Sequence, residues 1–305
     1  MPTPSELPAI SVVIPSKDRP GGVASLLRDL RRQAYPAENL EICVIDDGSS
    51  PAYRLAAPGL RVIRHEQSQG AQRSRNEALA AAKNEIVFLC DDDVELLGDD
   101  CLSQAAAVFV KQPEVAAVFV RKIDVLRRGA RVRELELSIS RPTFYSGDLV
   151  PCRHPEGPAA WGCGIYFARR RLLLDLGGYD GVYGLNGGHS FREESDLHAR
   201  LRAAGHVIWY LPRIAIKHHV TETGGHGPAV GRRLYWFAHN HLVFARRHLR
   251  YWPLRAVGFL LDVGRYTWVQ GRFRHVLPML RGYLAGWRNA LRDRGPGANN
   301  WLEHP

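Results

Sequence analysis

Cysteine is scarce in this chain. Five occur among 305 residues with no Cys-x-x-Cys spacing, which excludes a disulfide scaffold and a cysteine-built zinc site. Cys43 and Cys90 fall inside apolar runs, where a thiol serves as a small buried group. Long apolar runs are absent as well. Ala256-Val257-Gly258-Phe259-Leu260-Leu261 is among the longest, far short of the roughly 20 residues that a membrane-spanning helix needs. Met1-Pro2-Thr3-Pro4-Ser5-Glu6 has neither a basic stretch nor an apolar core, so no secretory leader is expected there, and a reducing cytoplasm is the expected setting. No Gly-x-Gly-x-x-Gly follows a strand pattern, which argues against a dinucleotide-dependent dehydrogenase. Lysine is missing from the last quarter. Residues 226–305 hold 13 arginines against Asp262, Asp293 and Glu303, while residues 1–225 balance 28 basic side chains with 28 acids. The whole net charge of +10 therefore lies at the C-terminal end.

What is present, first, is alternation. Ile10–Ile14 reads as a buried strand stopped by Pro15, and Val23, Leu26, Leu27 and Leu30 follow with helical spacing. Strand patterns recur at Glu41–Ile45, Leu60–Arg64, Glu85–Cys90, Val115–Arg121, Gly164–Ala168 and Val207–Leu211. Helical patterns lie between them at Gly70–Lys83, Cys101–Lys111, Arg170–Leu176 and Glu193–Ala204, the last ended by Gly205. Such alternation predicts an α/β fold with a mainly parallel central sheet. Residues 122–160 carry no clear period; Arg127-Arg128-Gly129 reads as a turn and Pro151–Pro158 as a loop. No internal repeat is found.

Three acidic clusters stand out against these elements. Asp46-Asp47-Gly48-Ser49 follows the strand at 41–45, Asp91-Asp92-Asp93 follows the strand at 85–90, and Glu193-Glu194-Ser195-Asp196 opens a helix. Carboxylates just past the C-terminal ends of buried strands lie where open α/β sheets bind ligands. Two of them at i and i+2 suit a hard divalent cation that holds a diphosphate. A departing nucleoside diphosphate needs its charge stabilised, and a cation does this as Lewis acid and template. The third cluster can supply a general base. The plain alternatives are a solvated acidic turn, ordinary Asp-Gly-Ser turn chemistry and an acidic first helical turn.

These residues, in this order, resemble the family 2 glycosyltransferases, inverting enzymes of the GT-A type. The resemblance covers about residues 8–225 and rests on Val13-Ile14-Pro15-Ser16, Val44–Ser49, Gly70-x4-Arg75-Asn76, Phe88–Asp93, Gly162-x-Gly164, Leu176–Asp180 and Phe191–Leu197, with a later histidine. It implies a GT-A nucleotide-binding fold and transfer of a sugar from a nucleoside-diphosphate donor to a saccharide or lipid-linked acceptor. It implies a divalent metal, Mn2+ or Mg2+, on Asp91 and Asp93, with His219 completing the site and Asp92 near the ribose. Asp47 would meet the nucleotide base, with Pro15, Ser16, Arg19, Gly48, Gly70 and Arg75 around the donor. The base would be Glu194, with Glu193 or Asp196 as register alternatives; the family's commoner Glu-Asp pair is Glu-Glu here. Trp161 and Gly162 would face the acceptor. A sugar-phosphate nucleotidyltransferase is the rival enzyme, but Ser16–Gly22 only faintly echoes its glycine-rich basic loop.

Residues 228–292 alternate arginine with aromatic residues in helical patterns, as in Arg232-Arg233-Leu234-Tyr235-Trp236-Phe237 and Arg246–Trp252. Arginine-rich amphipathic helices with aromatic anchors lie in a bilayer interface. The expectation is a catalytic domain, 1–225, and a basic, aromatic-rich helical extension, 226–305, which rests on the anionic inner face of the cell membrane. Packing on the catalytic domain or on a second subunit of a homodimer is the alternative. Basic residues interleaved with aromatics also suit single-stranded nucleic acid. The acid clusters oppose that partner, and no nucleic acid is expected.

Overall fold

The computed structural model describes residues 7–128, 131–136, 139–142, 149–152, 155–159, 164–184, 191–220, 230–270 and 276–293. β1 (Ile10–Ser16), β2 (Leu40–Asp47), β3 (Leu60–His65) and β4 (Ile86–Leu89) form a parallel set in the order β3-β2-β1-β4. Their runs are apolar because both faces are covered. Val12, Ile14 and Phe88 pack with Leu26 and Leu30 of α1 (Pro20–Arg31) on one face. Val13, Val87 and Leu89 pack on the other, towards Ala78 and Leu79 of α2 (Ala71–Ala81). The period-two pattern of the strands thus feeds two separate core layers.

The expectation of a mainly parallel sheet holds in this half; beyond it parallel and antiparallel pairs mix. The chain continues through β5 (Val94–Leu97), α3 (Cys101–Lys111), β6 (Val115–Arg128), β7 (Arg131–Glu136), β8 (Ile139–Pro142), β9 (Leu149–Cys152), β10 (Gly157–Pro158) and β11 (Tyr166–Arg169). α4 (Arg170–Asp175), α5 (Glu193–Ala203) and β12 (Val207–Val220) follow. β11 lies between β4 and β6 and is antiparallel to both, so the ten-stranded sheet is mixed. The reason is positional: β11 enters the sheet at the carboxyl end of β4, Tyr166 opposite Leu89, and must run back. Its stacking of Phe167 on Phe88, centroids 4.2 Å apart, ties the two directions together. β12 also runs nine residues beyond the Leu211 end expected from its pattern, after a register shift between Leu211 and Ala215. That extension carries His218 and His219 onto a strand parallel to β6 and antiparallel to β5.

The C-terminal region is built on α6 (Val230–His248), with α7 (Trp252–Gln270) and α8 (Val276–Arg292) packed against it. Gly282 and Gly286 let α8 press on the α6 backbone at Tyr235 and His239, where any Cβ would collide. Ala238, Leu242, Phe259, Met279 and Tyr283 fill the space between the three helices. Further along α6, Val243 and Phe244 pack on Val182, Tyr183 and Ala199 of the preceding region. Among the described residues, no helix is long and apolar enough to cross a membrane.

Candidate active site

The acid clusters gather at the carboxyl ends of the parallel strands. Among the described residues, Asp91, Asp93 and His218 form a group whose candidate ligand atoms all lie within 4.8 Å of one another. Asp93 Oδ1 is buried without a hydrogen-bond partner and lies 3.4 Å from His218 Nε2. Two carboxylates and an imidazole around an orphaned buried oxygen suit a divalent cation of the Mn2+ or Mg2+ kind. The β12–β6 register sets His218 opposite Asp124, and His218 Nδ1 lies 2.7 Å from Asp124 Oδ1. That carboxylate orients the ring and turns Nε2 towards Asp93, the usual support of a ligating histidine. Burial alone would lower the His218 pKa, but the carboxylates of Asp124 and Asp93 outweigh it and raise it to about 9. Burial would raise Asp93, and His218 with Arg19 instead hold it below the usual carboxylate value.

His219, the histidine expected at this site, is not the one brought to the aspartates. Successive strand residues point to opposite faces, so His219 turns away and pairs with Glu95 at 2.8 Å. Its backbone N–H donates to the Asp93 carbonyl at 2.8 Å, which fixes the strand beside the acid turn.

Arg75 joins this group to the third cluster. Its Nη2 donates to Asp91 Oδ1 at 2.7 Å, while Nη1 lies 3.4 Å from Glu193 Oε1 and 3.6 Å from Glu194 Oε1. The guanidinium is 5.5 Å from the Tyr179 ring centroid, and that tyrosine is held through its backbone by Asn76, with 2.7 and 2.8 Å hydrogen bonds. Glu193 is the enclosed member of the pair; burial and the neighbouring Glu194 push its pKa well above the usual range. Glu194 is more open, with a side chain 23% exposed against 4% for Glu193. It lies over Gly164, where a Cβ would meet its carboxylate. Asp196 is turned the other way, fully buried among Tyr183, Arg200, Arg247 and His248. Those partners hold its pKa down at about 2 against the effect of burial, and leave it away from the open site.

The residues expected around the donor form a sewn set of loops. Asp47 accepts from the backbone N–H groups of Gln69 and Gly70 at 2.7 and 3.0 Å and from the Ser68 hydroxyl at 2.7 Å. Its remaining partner, His65 Nδ1 at 2.7 Å, is shared with Glu77. Gly48, at φ +74°, allows the two loops to touch, because a Cβ there would strike the Ser68 backbone. Ser16, beside Pro15, donates to Asp92 at 2.5 Å, and Arg19 spans Asp92 and Asp93, reaching the latter at 3.0 Å. A cavity of about 1000 Å3 opens here beside α1, lined by Asp18, Arg19, Gly22, Asp92, Asp93 and His219 among others. Trp161 and Gly162 lie outside the described residues.

Asp124 went unread in the sequence because nothing in Lys122-Ile123-Asp124-Val125 marks a paired carboxylate without the register. Arg247 was also missed. Its side chain is 1% exposed and pairs with Asp180 at 2.9 Å and Asp293 at 2.6 Å, inside a run that reads as a basic surface.

Comparison with known proteins bears on this arrangement. The profile of glycosyl transferase family 2 matches residues 11–171, more than half of the chain. An uncharacterized protein y4gI of Sinorhizobium fredii is 26% identical over 245 residues, 72% of this chain and 25% of that protein. The chain spans between 25% and 37% of the length of the first curated relatives it matches. Among solved structures, S. aureus TarS 1-349 in complex with UDP-GlcNAc superimposes with a TM-score of 0.62 at 17% identity, over 92% of this chain and 81% of that one. The mannosyltransferase PcManGT of Pyrobaculum calidifontis, with GDP-Man and Mn2+, gives a TM-score of 0.55 at 18% identity, over 96% and 90%. At these identities the likeness shows the fold, which is of the GT-A type.

Proposed function

The chain belongs to glycosyl transferase family 2, and from that premise we propose that it moves a sugar from a nucleoside-diphosphate donor to an acceptor hydroxyl, with inversion at the anomeric carbon. The observation that carries this reading is that Arg75 links the Asp91–Asp93–His218 group to Glu193 and Glu194 at one end of the sheet. A divalent cation held by Asp91, Asp93 and His218 would offset the charge of the leaving diphosphate as a Lewis acid. The remaining work falls to this chain's own side chains. Asp47, Gly48 and Gly70 frame the base, and Pro15, Ser16 and Asp92 the sugar-phosphate part of the nucleotide. Arg19 exchanges Asp92 and Asp93 for donor phosphate oxygens. Glu194 takes the proton of the acceptor hydroxyl as its oxygen bonds to the anomeric carbon. The bond to the diphosphate breaks at the same time, and the electron pair leaves with the phosphate oxygen. Arg75 fixes the position of Glu194.

UDP-GlcNAc and GDP-Man occupy the two structural neighbours, which supports a UDP- or GDP-linked donor; dTDP is the third choice. The acceptor is a saccharide or lipid-linked glycan of the cell surface. The test is release of nucleoside diphosphate from UDP- and GDP-sugars with Mn2+. The wild type should release it and stop on chelation. Glu194→Gln should lose about 10²–10⁴ in rate while nucleotide affinity holds. Equal release by Glu194→Gln would remove it as the base.

A further inference from the structure

The arginine-aromatic alternation in the extension does not make the outer surface that the sequence suggests. Leu234, Phe237, Trp252 and Trp287 turn inward and pack on the three-helix core. Among the described residues of α7 and α8 the exposed apolar side chains are aliphatic, with Tyr251 the exposed aromatic just ahead of α7. Leu277, Leu280, Leu284 and Leu291 of α8 are exposed, at 57, 39, 60 and 64%. Leu277, Leu284 and Leu291 repeat every seven residues, and Leu280 falls on the same stripe. The rotation of α8 is not free, because Gly282 and Gly286 are pressed to the α6 backbone on the opposite side. Alongside the stripe run Arg281, Arg288 and Arg292, all exposed, and the helix contains no acid. α7 adds exposed Leu254, Val257 and Leu261 at helical spacing.

We propose that this face of α8, with the outer leucines of α7, docks on an anionic lipid bilayer. A second copy of the chain is the other natural occupant of a heptad leucine stripe. Charge disfavours it: two such faces would bring Arg281 and Arg288 against their own kind with no Glu or Asp on α8 to pair them. A membrane surface with anionic headgroups complements the same arginines while its acyl boundary takes the leucines. α8 is 17 residues long and lies along the protein surface, so it rests on the bilayer and does not cross it. This proposal stands whether or not the transfer chemistry above is correct, because its readout is binding alone.

The test is flotation of the full chain with vesicles of phosphatidylcholine, and of phosphatidylcholine with phosphatidylglycerol in a three-to-one ratio, at low and high salt. The wild type should float with the anionic vesicles at low salt and stay down with the neutral ones. Leu280→Ser with Leu284→Ser should lower the bound fraction by roughly tenfold, and Arg281→Glu with Arg288→Glu by at least about tenfold. Both pairs are exposed, so their melting temperatures should match the wild type. Absence of the wild type from the anionic vesicle fraction overturns the proposal. So does equal flotation of the leucine variant. A dimer in sedimentation equilibrium that the leucine variant dissolves, without flotation, would make the face a homotypic interface and overturn it too.

Discussion

Asp47 shows how far a single residue's role depends on its neighbours. Its carboxylate organises the Ser68–Gly70 loop, and His65 is clamped between it and Glu77 with a side chain only 9% exposed. Burial alone would lower the His65 pKa; the two carboxylates outweigh it and raise it. A folded pKa raised above the unfolded value gives stability that is fully present below about pH 6.5. That contribution is lost as pH rises through the folded value. Melting curves of the wild type and His65→Gln should therefore differ most in mild acid and converge in alkali; a gap that widens with pH would contradict the assignment. At Gly164, an added methyl must displace the Glu194 carboxylate. Gly164→Ala should lower kcat by about tenfold or more and leave the nucleotide-induced rise in melting temperature unchanged. Loss of the nucleotide response would mean that Gly164 serves the donor side instead.

At the scale of elements, α5 matters most, since its first turn carries Glu193 and Glu194. It is capped by Arg192, a left-handed residue at φ 72°, a conformation costing a non-glycine residue roughly 1–2 kcal/mol. α6 holds it there: His241 Nδ1 lies 3.1 Å from the Arg192 guanidinium, which also sits 5.3 Å from the Phe244 ring centroid. Asn240 ties the flanking segment through the carbonyls of Tyr183 and Phe191, at 2.8 and 3.0 Å. Arg247 neutralises Asp180 and Asp293 where water does not reach. Arg247→Ala would leave buried carboxylates unpaired and should cost about 3–5 kcal/mol, read as a lower denaturant midpoint. A loss within experimental error would show that these acids find water instead. Apart from β5, which went unread, the strands and helices of the first 120 residues were legible because buried runs and helical spacing coincide with punctuating Pro15 and Gly70. Direction was not, since an apolar run such as Tyr166-Phe167-Ala168 reads the same in either sense. Which of the two adjacent histidines lies beside the aspartates was not legible for a related reason: one step along a strand reverses the face, and only the extension of β12 to Val220 sets His218 there.

On the scale of the whole molecule, the contacts of α6 with Tyr183, Asp180 and Asp196 join the basic extension to the acid-bearing layer. The two should therefore melt as one cooperative unit, with a single calorimetric transition; two separated transitions would mean that the extension folds apart. The carboxylates carry the proposed chemistry at one end of the sheet, while the arginines and leucines of α8 supply a surface for lipid. The central claim is that nucleotide binds through a cation held at Asp91, Asp93 and His218. The most direct measurement is thermal unfolding with UDP and with GDP, each with and without Mn2+, for the wild type and Asp93→Ala. A ligand at about 100 times its Kd adds roughly 2.7 kcal/mol, a rise of several degrees for a chain of this size. The account predicts that rise for one nucleotide with Mn2+ only, and its loss in Asp93→Ala. A nucleotide response that ignores both metal and Asp93 would contradict it.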